Sequence, residues 1–427
     1  MERLKTWRSV VIWSIISAAF IGPGTVTTAV SAGSTFQLDL LWAVTFATVA
    51  CIVLQEVAAR ITTASGMNVG QALTLKFGNR NGNFLKWLIG GSVIAGCAAY
   101  EAGNILGGVA GLNLLTGAST FWLTIIISVV SFGLLWRGSP RWISSLMMLL
   151  VALMGISFLL VALTQEFEFL ELMKASVIPV IPPGGELLLL GLVGTTVVPY
   201  NIFLGSGISK GQTIPMMRLG LTISVFIGGL ITAFILLAGT AITDFSSFNN
   251  VYREFEIKVG KEAAIALALG LFAAGFSSAI TAPYASAIIA KTVFEVKKES
   301  TIRMVWIVVL AIGFGIGISG VKPIPVILIV QALNGLILPL LVIFLILVVN
   351  DPRLVQAQYR HGVFYDILLL LILGAVTLIS LNNVDKAIKT AFKLSAPDHL
   401  PIVTILMCVV VIVVGAIIFR QRAALRE

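Results

Sequence analysis

The sequence has 427 residues, of which 58% are hydrophobic and only 11% charged, and its mean hydropathy of +1.04 excludes an ordinary soluble domain. The net charge of +9 comes from basic residues scattered between apolar segments, not from one basic stripe, so no nucleic-acid partner is implied. Backbone amides in hydrocarbon must be satisfied internally; apolar runs of about twenty residues therefore predict helices, and the short alternating blocks of a barrel are not found.

In chain order, apolar stretches fall at 9–32, 38–62, 84–113, 118–136, 141–164, 187–209, 219–242, 262–292, 303–319, 324–349, 363–382 and 401–420, which predicts an all-α integral membrane protein with about twelve spans. The basic start (Arg3, Lys5, Arg8), apolar core and following small residues have the layout of a secretory signal. The Gly-Pro-Gly behind that core has a counterpart later in the chain, which a discarded leader would not need, so the segment reads as a retained first span. Cys51, Cys97 and Cys408 all sit inside apolar runs and read as small buried side chains, not as a disulfide framework. With the N-terminus inside and spans alternating, about 20 of the 28 lysines and arginines fall on the inner side. This predicts a multi-pass cell-membrane protein with both termini cytoplasmic. Glu166, Glu168, Glu171 and Glu186 crowd one outer loop and Asp244, Glu254, Glu256 and Glu262 another; a solvated polar rim is the expectation, with a cation-collecting vestibule as the other reading.

Two spans carry helix breakers at related places: Gly22-Pro23-Gly24-Thr25 in the first, and Thr195-Thr196-Val197-Val198-Pro199-Tyr200-Asn201 in the sixth. Proline removes a backbone hydrogen bond and clashes with the preceding turn, and glycine leaves helical dihedrals cheaply, so each span is expected to split into two half-helices. Breaks five spans apart are what an inverted repeat of five plus five helices predicts, with substrate near the bilayer midplane between them. The expected units are 1–164 (helices 1–5), 165–350 (helices 6–10) and 351–427, two added helices and a tail with no role beyond scaffold.

Glu101 is the side chain that stands out, because a carboxylate at mid-membrane depth costs about 2.5 kcal/mol or more and usually faces a cavity or partner. Asn104 shares its helix face, beside Gly103, Gly107 and Gly108, which permit close packing. Glu56 lies four residues before Arg60 and predicts an intrahelical pair near the cytoplasmic end. Asp366 is expected at the membrane interface, and His361 and His399 near loops, leaving no histidine for an intramembrane metal site. No nucleophile–base constellation, phosphate loop or cofactor motif is present, so neither an enzyme nor a cofactor is expected.

Gly22-Pro23-Gly24-Thr25 with Thr28, Ala32-Gly33, Leu40-Leu41-Trp42, Leu54-Gln55 and Ala58-Ala59-Arg60 resembles the first two spans of the NRAMP family of divalent metal-ion transporters. Gly194 to Asn201 resembles its sixth span, Ala274 to Thr281 its eighth, and Gln331 with Pro339 its tenth. The resemblance implies the LeuT-like fold of the APC superfamily, with helices 1 and 6 broken, and a secondary transporter working by alternating access. The sequence departs from the family where metal is bound. The Asp and Asn of the usual Asp-Pro-Gly-Asn correspond to Gly22 and Thr25, the sixth-span methionine to Val198, the nearby histidine to Tyr200, and the third-span acidic pair to Glu101 and Asn104.

The expected substrate-binding set is therefore Gly22, Gly24, Thr25, Thr195, Val198, Tyr200, Asn201 and Gln331, with Glu101 and Asn104 for protons or a cation. Thr28, Thr196, Ser277, Ser278, Thr281 and Asn334 complete the polar residues expected near the centre. Such hard, neutral oxygens suit Mg²⁺ better than Mn²⁺ or Fe²⁺, and a single carboxylate suits a partly hydrated ion. The alternative is a small neutral or anionic organic solute, such as an amino acid, held by the amides of Gly22 to Thr25. A receptor or inactive scaffold on a transporter fold is a third reading. The expected partners are the ion or small-molecule substrate, the lipid bilayer, and protons or Na⁺ as coupling ion.

Overall fold

A computed structural model describes residues 12–137, 140–243, 245–391 and 400–423. The first apolar stretch is split as expected: α1 (Ile12–Phe20) and α2 (Pro23–Phe36) meet at Ile21 and Gly22 with a bend of 52°. Then come α3 (Leu41–Ser65), the short α4 (Val69–Phe77), α5 (Asn79–Thr116), α6 (Thr120–Arg137) and α7 (Pro140–Ala162). The second series opens with a short α8 (Phe169–Val177), followed by a second broken span made of α9 (Glu186–Thr196) and α10 (Pro199–Ile208). It continues with α11 (Ile214–Gly239), the short α12 (Phe248–Lys258), α13 (Lys261–Thr292), α14 (Glu299–Ile318) and α15 (Pro323–Val349), before α16 (Val363–Ala391) and α17 (Leu400–Ala423) close the chain.

Among the described residues ten segments are long and apolar enough to cross a membrane, α9 with α10 counting as one, and the bent pair α1–α2 is an eleventh. The 27 residues of α15 carry no charge and rise about 40 Å, enough for a twelfth. The periphery is apolar: Trp142, Leu163, Phe364 and Phe419 are each more than 70% exposed. The buried side, by contrast, holds Glu101, Asn104, Asn201 and Gln331. That inversion of the soluble pattern fits hydrocarbon as the surrounding solvent. Helices α4, α8 and α12 were not expected from hydropathy. They have 9, 9 and 11 residues, and local capping starts two of them: Asn68 and Gln71 form a reciprocal box at α4, and the Ser247 hydroxyl accepts from the Asn250 amide at α12.

The spans pack at glycine. A methyl group on Gly275 of α13 would lie 2.2 Å from the amide nitrogen of Gly108 on α5, and one on Gly33 of α2 would lie 2.1 Å from the Leu236 carbonyl of α11. The contact pattern repeats when the first five spans are exchanged for the second five. The α3–α11 and α5–α13 contacts map onto themselves, α5–α15 onto α13–α7, and α5–α14 onto α13–α6.

One end of the bundle is tied by buried charges. Glu56 pairs with Arg60 at 2.6 Å, as the spacing predicted, and also with Arg218 of α11 at 2.8 Å, while the Tyr365 hydroxyl of α16 donates to it at 2.9 Å. Asp366, expected at the membrane interface, lies at this end of the bundle and is 4% exposed; it accepts from Asn350 at 3.0 Å and pairs with His361 at 2.6 Å and Arg422 of α17 at 2.5 Å. A lone interfacial carboxylate would have been solvated; this one is enclosed because α16 and α17 bring a cation and an imidazole to it. At the same end, Asp351 is held by Lys76 at 2.6 Å and Arg353 at 2.8 Å.

Burial pushes the Asp351 carboxyl up, but Arg353 and Lys76 outweigh it and hold the group well below the usual carboxylate range. A depressed pKa means that this contribution to stability is complete above the unfolded value of about 3.9 and is lost only as pH falls toward the folded one. Asp351→Asn is expected to cost about 2 kcal/mol, less than for a fully buried pair because Arg353 is solvent-exposed. Thermal melts of the purified protein at neutral pH measure this, and an unchanged melting temperature would contradict the assignment.

Candidate functional site

In a continuous helix the amide of residue 23 would donate to the Ala19 carbonyl, but Pro23 has no N–H. The break also deprives the Ala18 and Phe20 carbonyls of their helical donors. All three are capped by hydroxyls from elsewhere. Tyr200 donates to Ala19 at 2.6 Å, Thr25 to Phe20 at 2.5 Å and Ser278 of α13 to Ala18 at 3.4 Å. The Thr25 oxygen also lies 2.7 Å from that of Thr195. Since the Thr25 proton is committed to Phe20, Thr195 is the donor of that pair, and the two breaks are joined directly.

At the second break Val197 and Val198 leave helical dihedrals, with ψ of 69° and 124°, and Pro199 starts α10. The Gly194 carbonyl faces the Tyr100 hydroxyl at 3.2 Å, while that hydroxyl makes its closer bond to Gln331 Oε1, at 2.7 Å. Pro199 cannot donate to the Thr195 carbonyl, and neither that carbonyl nor that of Thr196 has a donor among the described residues. Asn201 is fully buried with neither end of its amide paired among the described residues, and so is Gln55, whose carbonyl packs over Gly205 one turn beyond Asn201.

Two glycines set how closely other spans approach. A methyl group on Gly24 would fall 1.5 Å from Gln331 Nε2, so only glycine lets that amide lie across the start of α2. One on Gly22 would lie 2.8 Å from the Ser278 hydroxyl and 3.5 Å from Asn104 Oδ1. Asn104 in turn donates to Glu101 Oε2 at 3.3 Å. Glu101 is fully buried, packs its chain against Gly313 of α14, and leaves Oε1 without a partner among the described residues. A polar file thus runs from the first break through Asn104 to Glu101.

Gly22, Gly24, Thr25, Thr195, Tyr200 and Gln331 are therefore brought together, with Ser278, Asn104 and Glu101 adjoining. Val198 is buried but offers only an isopropyl group. Thr196, Ser277 and Thr281 instead bond carbonyls of their own helices, at Leu192, Ala274 and Ser277 respectively, and Thr28 packs on Gly191. The Asn334 side chain and Asp244 lie outside the described residues. Tyr100 was not singled out by sequence; nothing in its spacing shows that its hydroxyl bridges α9 and α15. No cluster of three or more His, Cys, Asp or Glu that could hold a metal occurs among the described residues, so an ion here would meet carbonyl, amide and hydroxyl oxygens and water. On α12, Glu254 bonds Thr243 and Lys258, and Glu256 is exposed.

A sequence profile of the family described as natural resistance-associated macrophage protein-like (Nramp) matches residues 14–386. The divalent metal cation transporter MntH of Verminephrobacter eiseniae is 26% identical over 381 residues, covering 85% of each chain, and that of Caldanaerobacter subterraneus is 23% identical over 361 residues, covering 80% of this chain and 84% of the relative. Among solved structures, a mutant of the Eremococcus coleocola manganese transporter superposes with a TM-score of 0.75 at 17% identity over 98% of this chain and 96% of that one. Mhp1, a nucleobase-cation-symport-1 family transporter in a closed conformation with bromovinylhydantoin bound, superposes with a TM-score of 0.60 at 15% identity over 97% and 93%. The fold is thus the LeuT-like one, with helices 1 and 6 broken.

Tyr200→Phe removes the donor to Ala19 and leaves a buried carbonyl unpaired, which is expected to cost about 1–3 kcal/mol in thermal stability. A Tyr200→Phe variant that kept wild-type stability would show that the carbonyl finds another donor. Gly24→Ala is expected to lower stability as well, since its methyl must displace Gln331 from Tyr100.

Proposed function

The chain belongs to the Nramp family, and from that premise we propose that it is a secondary transporter that carries a divalent cation across the cell membrane by alternating access. The cation is held between the two breaks in partly hydrated form, Mg²⁺ in preference to Mn²⁺ or Fe²⁺. Relatives named as divalent metal cation transporters support the cargo class. The observation that carries the finer reading is the unpartnered oxygen at the second break, namely the carbonyls of Thr195 and Thr196 and the fully buried amide of Asn201. These are hard ligands, with Val198 offering no thioether and Tyr200 no imidazole. Gln331 and Thr25 complete the neutral shell, and Gly22 and Gly24 keep the backbone close. Few charges stand ready to offset the stripping of a divalent ion, so retained water lowers the cost of binding. Glu101, reached through Asn104, carries the coupling proton or the balancing charge. In this reading 1–164 and 165–350 are the repeats that rock against each other, 351–427 braces them, and both termini are cytoplasmic, which puts the Glu56 cluster on the inner side.

A second reading has its own support. The amides of Gly24 and Thr25, at the positive end of α2, have no acceptor among the described residues, and no carboxylate stands beside them. That suits the carboxylate of a small neutral or anionic organic solute, such as an amino acid.

Uptake into proteoliposomes decides between them. Mg²⁺ uptake exceeding that of Mn²⁺ is expected, with Glu101→Gln lowering it about tenfold or more and an imposed pH gradient changing its rate. Preference for Mn²⁺ would remove the hydrated-ion reading, and amino-acid uptake insensitive to chelators would replace it with the second.

A further inference from the structure

At the end of the bundle opposite the Glu56 cluster lies a cavity of about 570 Å³, within the usual size of small-molecule sites. Leu106, Val109 and Leu114 of α5, Phe248 of α12 and Ile324 of α15 form its apolar wall. Among the described residues its lining contains one charged side chain, Lys322, which is exposed and pairs with no described carboxylate, and no acidic residue. Asn113, Ser246 and Asn249 supply neutral polar groups. Helices α6, α12 and α15 all begin at its rim, which adds to the positive potential that Lys322 sets.

We propose that this cavity binds a small organic anion, a carboxylate with a short branched apolar body, its charge on Lys322 and its body against the α5 and α15 wall. A divalent cation meets the charge of Lys322 here and no lining carboxylate among the described residues to offset it, so the cavity does not serve the cargo of the proposed transport cycle. It lies close to that path all the same. Leu106 is two residues beyond Asn104 on α5, about 3 Å along the axis. Between cavity and site stands the contact of Ile327 with Gly103, where a methyl group would be 3.2 Å from the isoleucine side chain. An anion seated above this contact fills the space between α5 and α15, the two spans that carry Asn104 and Gln331.

Three probes of similar shape test the assignment on the full-length protein in nanodiscs, with saturation-transfer NMR titrations reading binding alone and so standing apart from any transport result. Isovalerate is expected to bind, isovaleramide about tenfold more weakly or worse, and isopentylamine not at all. Lys322→Gln is expected to weaken isovalerate about fivefold or more while leaving isovaleramide unchanged, which also shows that the cavity is intact. Ala110→Trp, which fills the cavity, is expected to abolish both. Equal binding of the amine, isovalerate affinity indifferent to Lys322→Gln, or binding that survives Ala110→Trp would each overturn the proposal.

Discussion

Two prolines set the terms for the rest of this structure. In hydrocarbon a backbone carbonyl without a donor costs several kcal/mol, because no water stands by to replace the missing bond. Pro23 and Pro199 each delete a donor deep in the bundle, and the chain answers differently at the two places. At the first break the carbonyls of Ala18, Ala19 and Phe20 each receive a hydroxyl, from Ser278, Tyr200 and Thr25, while that of Ile21 has no donor among the described residues. At the second, the carbonyls of Thr195 and Thr196 stay open. The centre of the molecule is therefore asymmetric: three carbonyls of the first break are capped by neighbours, and the second break keeps more of its acceptors free.

The same hydroxyls hold the two breaks together without charged or sulfur groups. Tyr200, which the resemblance sets against a family histidine, has its oxygen engaged with the first span, and Thr25, set against an asparagine, reaches both Phe20 and Thr195. These residues work first as fasteners between the broken spans. An ion or solute that enters must compete with those bonds or use groups they leave over, among them Asn201, Gln55, the open carbonyls and the carboxyl of Glu101.

Spans, breaks and repeat were legible in the sequence because each leaves a one-dimensional trace: apolar length, a proline beside glycine, and recurrence after five spans. The Glu56–Arg60 pair was legible from helical spacing. What the sequence concealed were partners distant along the chain. Nothing near Asp366 announces Arg422, and nothing near Ala19 announces Tyr200, 181 residues away. Thr28, Thr196, Ser277 and Thr281 illustrate the converse. Their residue type suggested the centre, but helical hydroxyls readily bond the carbonyl a turn behind or simply pack, and these do one or the other.

The charged cluster around Glu56 has a mechanical meaning for the two helices that follow the repeats. Tyr365 pins α16 to Glu56 and so to spans two and seven, Asp366 ties α16 to Asn350 behind α15, and Arg422 ties α17 to Asp366, all at a single end of the bundle. Helices clamped at one foot move like levers. A small tilt at the clamp grows with distance along the roughly 39 Å of α11, so the widest excursions belong to the far mouth. The charged clamp does not include the short α1, which is held at this end by a neutral bond instead, Trp13 Nε1 donating to Gln212 Oε1 at 3.1 Å.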